Sequence, residues 1–220
     1  MKLKWLAHAT FLITSENGTK ILTDPIDNID PRDNVELFSF DPLDQEADIV
    51  TVSHDHWDHC NVKAVKGNPV VVRESMEVKG ISFKAIPSFH DKSEGAEHGP
   101  NTMMAFQVDG ISLFVLGDLG HTLTDEQIAA VGAVDIIILP VGGFFTIVPE
   151  EADIICDQVK PKVIIPMHWK TEKCGLPIGH VDGFLEGKNN VQRLDSSELE
   201  FQADALPEDQ PIIVLKPAML

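Results

Sequence analysis

Seven residues constrain this chain more than any other stretch. Ser53-His54-Asp55-His56-Trp57-Asp58-His59 packs three histidines and two carboxylates into one short segment. Alternate side chains of an extended loop point the same way, so His54 and His56 can face one cation while Asp58 and His59 turn toward another. The pattern H-x-H-x-D-H therefore suits two adjacent metal sites. A solvated histidine-rich turn would give no reason for four ligand-type side chains to follow directly on Asp48-Ile49-Val50-Thr51-Val52, a short apolar run of the buried-strand kind. Strand ends are where α/β enzymes place their chemistry.

Around this segment the chain reads as strands first and helix-linked strands later. Residues 3–14 form one or two strands, and Ser15-Glu16-Asn17-Gly18 turns the chain into Lys20-Ile21-Leu22-Thr23, which ends on Asp24-Pro25. Residues 25–46, polar and rich in Asp and Pro, read as a surface loop near whatever the site binds. A short helix is expected after His59, as far as Val65, then a strand at Pro69-Val70-Val71-Val72 and a hairpin over residues 76–87. Asp109-Gly110 joins strands over 102–108 and 111–117. Helices open at Thr124 and at Pro149-Glu150-Glu151, buried strands cover 135–139 and 162–166, a short helix covers 180–186, and a strand over 211–216 closes the chain. Two packed sheets with helices outside satisfy this order. No Pro/Gly/Ser-rich linker divides the 220 residues, so residues 1–220 are expected to form one domain.

A net charge of −18, spread along the chain without a basic cluster, opposes nucleic-acid binding and favours solubility. Cys60, Cys156 and Cys174 are odd in number and form no C-x-x-C, which fits a reducing cytoplasm. Met1-Lys2-Leu3-Lys4-Trp5 does not lead into an export signal, because the apolar part is short and His8 interrupts it. No apolar run approaches the ~20 residues of a membrane helix. The expected partner is a small-molecule substrate, with a homodimer as the default assembly.

Five separate places put His or Asp at the end of an apolar run: Asp24, the His54/His56/Asp58/His59 group, His90, Asp118 and His168. Their order resembles the metallo-β-lactamase superfamily. Trp5 to Ile13, Gly117-Asp118-Leu119-Gly120-His121, Pro140-Val141-Gly142-Gly143 and Pro166-Met167-His168-Trp169 further resemble small bacterial hydrolases related to L-ascorbate 6-phosphate lactonase and N-acyl-phosphatidylethanolamine phospholipase D. The fold implied is an αββα sandwich, an α/β class of two mixed sheets flanked by helices. The resemblance implies that His54, His56 and His90 hold one metal, that Asp58, His59 and His168 hold the other, and that Asp118 bridges them. Two divalent ions are implied, zinc first, with manganese, iron or nickel as alternatives. Asp24 would orient the metal-binding loop without touching an ion. Asp58, Asp118 and His8 are the catalytic candidates. His8, flanked by Ala7 and Ala9 in an otherwise apolar strand, is expected at the pocket wall, where it would bind substrate or move the leaving-group proton. Asn101, His121 and Lys170 are weaker candidates for lining the pocket. His98 and His180 read as surface histidines, and Cys60 as a small buried apolar residue.

A hydrolase of an ester-like bond, phosphodiester, lactone or thioester, is the leading function, and a β-lactam is not the expected substrate. A di-iron oxidoreductase on the same fold would carry Glu at His56 and need a flavin module for which 220 residues leave no room. A non-catalytic metal-binding protein would not need all seven ligand positions.

Overall fold

The computed structural model describes residues 1–220. The first sheet contains β1 (Lys2–Ala7), β2 (Thr10–Thr14) and β3 (Lys20–Thr23). A two-stranded hairpin of β4 (Ile29–Asp30) and β5 (Val35–Glu36) interrupts it before β6 (Glu46–Thr51) and β7 (Lys66–Val72). The second sheet begins with β8 (Met76–Val78), β9 (Ile81–Phe89), β10 (Pro100–Val108) and β11 (Ile111–Val115). Helix α1 (Asp125–Val131), β12 (Ile136–Pro140), α2 (Pro149–Val159), β13 (Val163–Met167) and α3 (Asp182–Leu185) follow. Three short strands end the chain: β14 (Val191–Arg193), β15 (Glu198–Glu200) and β16 (Ile212–Val214). The two sheets run β15-β1-β2-β3-β6-β7 and β14-β16-β13-β12-β11-β10-β9-β8.

Local chemistry accounts for most boundaries. Asp109 and Gly110 sit at φ 51° and 78°, and Lys79 and Gly80 at 52° and 77°, the left-handed pairs that a tight hairpin requires. Thr124 caps α1 in a reciprocal box with Gln127, and Pro149 starts α2.

Strand direction then gathers the ligand-type residues. β1 and β3 run parallel to β6, since β1 and β3 are both antiparallel to β2 and β3 pairs parallel with β6. Their C-terminal ends, carrying His8, Asp24 and the His54 segment, share one edge. In the second sheet β9, β11 and β13 likewise run one way, so His90, Asp118 and His168 share another. Between the sheets lies a core that includes Leu3, Trp5, Phe11, Ile49, Phe83, Leu113, Ile138 and Ile165. At about 2 kcal/mol per fully buried large apolar side chain, this layer dominates what holds the sheets together.

The outer faces differ. Helices α1, α2 and α3 cover the second sheet through Ile128, Ala152, Ile155 and Phe184. The first sheet is instead covered by loop residues, with Ile26, Phe38, Phe40, Cys174, Leu176 and Ile178 packed on Leu6, Leu22 and Val50. Residues 25–46 are therefore not simply a surface loop: Phe38, Phe40 and Asp30 are buried. The helix expected after His59 is a single 3-10 turn at Val62–Ala64. Strands β14 and β15 were not anticipated, and β15 extends the first sheet by pairing Leu199 with Leu3.

Candidate metal centre

The first sheet presents its donors through one carboxylate. Asp24 leaves β3 at φ 37°, a left-handed conformation that turns its side chain under the loop following β6. Its Oδ1 accepts from Ser53 N at 2.7 Å, and its Oδ2 accepts from Ser53 Oγ at 2.7 Å. The same Oδ2 lies 3.1 Å from His59 Nδ1. Ser53 Oγ in turn lies 2.9 Å from His54 Nδ1. With each Nδ1 occupied, His54 and His59 aim Nε2 inward, the tautomer and orientation that a metal ligand needs. His56 places Nδ1 2.9 Å from His54 Nε2.

The second sheet adds its residues singly. His90, just beyond β9, donates from Nδ1 to the Phe145 carbonyl at 3.0 Å. Asp118 follows β11 after Gly117, where a side chain would collide with Asn101 Oδ1 and Ser53 Cβ, both 2.5 Å from the added carbon, at φ 55°. Gly120 has an even closer neighbour, the Asp91 backbone nitrogen, at 2.3 Å. His168 follows β13 at φ 50°, with its N–H donating to the His8 carbonyl at 3.3 Å.

These residues converge on Asp118. Its Oδ2 lies 3.1 Å from His90 Nε2, 3.2 Å from His59 Nε2, 3.2 Å from His168 Nε2 and 3.9 Å from His54 Nε2. Two donor sets, His54/His56/His90 and His8/Asp58/His59/His168, each bring their ligand atoms within 4.8 Å of one another. Asp118 Oδ1, His59 Nε2 and His8 Nε2 are buried without hydrogen-bond partners. Buried polar atoms are ordinarily satisfied, and several orphans at one spot fit a bound cation. Burial opposes charge on both Asp118 and His59, but the imidazoles around Asp118, led by His168, hold its carboxyl well below the ordinary range. The Asp118 and Asp58 carboxylates conversely raise His59 well above its ordinary value. A metal entering here displaces protons from such groups.

A cavity of about 270 Å³ opens over the donors. Arg32, Leu37, Trp57, Glu97, His98, Phe145 and Leu176 line it, together with His56, Asp58, His90, Asp118 and His168. Several expectations change here. His8 lies in the turn between β1 and β2, not within a strand, and does not line the cavity. Its burial, with His168 beside it, lowers it to about 4. Asn101 is buried and holds the Asp118 N–H on its Oδ1 at 3.1 Å, so it positions a donor and does not line the pocket. His121 spends both ring nitrogens on the backbone of Phe89 and Thr122, and Lys170 donates to the Leu176 carbonyl at 2.6 Å. Neither lines the cavity.

His98, expected on the surface, is half-buried on the cavity wall, its ring 5.2 Å from that of His90. Burial pushes the Asp91 carboxyl up, but N–H donors from His98, Gly95, Glu97 and Ser93 outweigh it and bring it down to about 2. That nest of donors shapes the turn carrying His98. Arg32, also missed, is gripped by Asp30 through Nε and a terminal nitrogen. Its only sequence signal was an Asp two residues earlier in a polar loop. His180 is exposed, as expected, and Cys60 is half-buried against the first sheet's outer layer.

The Beta-lactamase superfamily domain family matches residues 2–168, the span that contains every converging donor. The chain belongs to the metallo-β-lactamase superfamily. A UPF0173 metal-dependent hydrolase of Carboxydothermus hydrogenoformans is 30% identical over 201 residues, 78% of this chain and 85% of that protein. Another, from Thermococcus kodakarensis, is 28% identical over 200 residues, with the same two coverages, 78% and 85%. A Thermotoga maritima structure, for which a Zn-dependent hydrolase of this superfamily has been proposed, superposes with a TM-score of 0.78 at 35% identity and covers 97% of each chain. The chain is thus a metal-dependent hydrolase with a His/Asp cluster, on the mixed two-sheet fold expected for it. No helix is long and apolar enough to cross a membrane.

Proposed function

We propose that residues 1–220 form one binuclear hydrolase domain that cleaves an ester-like bond, phosphodiester, lactone or thioester, in a small cytoplasmic substrate. The observation that carries this reading is the position of Asp118 Oδ2, within 3.2 Å of His90 from one donor set and of His59 and His168 from the other. A carboxylate so placed is a natural bridge. His54, His56 and His90 would hold one ion, and Asp58, His59 and His168 the other. Two divalent ions, zinc first and manganese, iron or nickel as alternatives, would supply Lewis acidity and a water of lowered pKa. Asp118 would be the donor the two sites share. Asp24 and the Phe145 carbonyl keep His59 and His90 in the tautomer that leaves Nε2 free. Trp57, Leu37, Phe145 and Leu176 form the apolar part of the cavity wall, while Arg32 and His98 would offer polar contacts to the substrate. The choice of bond class rests on the resemblance to the lactonase and phosphodiesterase group.

Elemental analysis of protein purified without chelator, combined with a panel of phosphodiester, lactone, thioester and β-lactam substrates, tests this. Two ions per chain and turnover of at least one ester-like class are expected. A ratio near zero after metal reconstitution would remove the reading, and a stable ratio near one would reduce it to a mononuclear site.

A further inference from the structure

The geometry points to His8 as a direct ligand of the Asp58/His59/His168 metal site, making the two sites unequal in donor number. This rests on the binuclear reading above. His8 Nε2 is buried, has no hydrogen-bond partner and lies 3.5 Å from Asp58 Oδ2. Two donors ~2.1 Å from one ion, at angles of roughly 90° to 120°, are separated by about 3.0–3.6 Å, a range that includes this spacing. The four donor atoms of His8, Asp58, His59 and His168 fall within 4.8 Å of one another.

The backbone holds His8 there at a cost. It adopts φ 47° in the turn between β1 and β2, a left-handed conformation that is uncommon for a residue with a side chain. Two donors fix that turn through the His8 carbonyl: Trp5 Nε1 at 3.0 Å and the His168 N–H at 3.3 Å. The second of these ties the turn to the residue that follows β13, so His8 and His168 arrive as a unit, their rings 4.0 Å apart. On its other side the His8 ring meets Phe38, at 4.7 Å, from the loop that covers the first sheet. A substrate-binding role would need His8 on the cavity wall, where it does not lie.

The consequence is an assignment of roles to the two sites. His8, His59, His168, Asp58 and the shared Asp118 give one ion five protein donors, which leaves little room for anything else. The His54/His56/His90 site has three donors of its own plus the shared carboxylate, one fewer than its neighbour, and so would have the more room for a further ligand. Closed sites are typically structural, while sites with an open position bind substrate. Donors of both sites line the cavity, His56 and His90 from this one and Asp58 and His168 from the other, so the two sites differ in donor number and not in access.

The test strips the full-length protein of metal and reloads it with Co²⁺ in steps. It follows stoichiometry by elemental analysis, affinity by chelator competition and geometry by the visible absorption of cobalt. Wild type is expected to take two ions. His8→Ala should bind one ion within about twofold of wild type and the other at least ~10-fold more weakly, with an altered cobalt band for the weakened site. His8→Gln, which better preserves the side-chain volume, should show the same selective weakening and keeps the test decisive if His8→Ala does not fold. A wild type that takes two ions beside a folded variant with both affinities and the cobalt spectrum unchanged would overturn the assignment of His8 alone. A wild type that takes fewer than two ions would overturn the binuclear reading and, with it, this inference.

Discussion

The first sheet sends His54, His56, Asp58 and His59 into the site from one loop, whereas the second sends His90, Asp118 and His168 from three separate strand ends. The clustered donors share a support. Asp24 binds the loop backbone at Ser53 and the ring of His59 together, so their arrangement depends on one carboxylate. The scattered donors depend on backbone shape: Gly117 and Gly120 where no side chain fits, and His168 in a left-handed conformation. A donor cluster thus concentrates its vulnerability in one partner, while single donors spread theirs over the fold.

The largest expected effect comes from the scattered set. Asp118→Ala should lower turnover by about 10³-fold or more, since a bridge that fixes two cations contributes several kcal/mol to charge stabilisation. Far-ultraviolet dichroism should be preserved. Turnover within a few-fold of wild type, on any substrate the protein hydrolyses, would show that Asp118 does not bridge.

Asp24→Ala tests the clustered set. Loss of such a support typically costs 10–100-fold in metal affinity, and about that loss is expected here, read by chelator competition. Affinity unchanged within twofold would mean that the loop after β6 holds its donors without help, and the contrast between the two sheets would lose its basis.

Gly120→Ala probes backbone dependence without touching a donor. An added carbon 2.3 Å from Asp91 N and 2.4 Å from His90 C must displace the backbone, at a cost of ~1–3 kcal/mol. Urea denaturation should show a lowered midpoint at unchanged slope. A midpoint equal to wild type would indicate that the His90 strand end yields easily.

The smallest effect is expected from Asp30→Asn, in the loop that covers the first sheet. The hydrogen bonds from Arg32 hold the Asp30 carboxyl below its ordinary range. A carboxyl lowered on folding stabilises the protein above its unfolded value of about 3.9, and that contribution is lost as pH falls through the lower folded value. The difference in denaturation midpoint between wild type and variant should therefore be level from pH 7 to about 4 and shrink below it. A difference that grows on acidification would reverse the sign assigned to the pair.

Sequence alone determined a good deal of this protein. The H-x-H-x-D-H segment is a local pattern, and an apolar strand ahead of it is enough to present alternate side chains to a cation. Asp109-Gly110 announced its hairpin because glycine adopts φ above zero at no steric cost and aspartate tolerates it. Asp24, His90, Asp118 and His168 stood out because each ended an apolar run. Tertiary structure alone decided the rest. Residues 26–40 and 174–178 cover a sheet through scattered apolar contacts that carry no period, and β15 is a three-residue strand that pairs with the opposite end of the chain. His8, expected at the pocket wall, is buried behind it, and His98, expected on the surface, lines the cavity, for the same reason. Whether a side chain faces a cavity, a cation or the core is set by the elements that close over it, and those elements are far away in sequence.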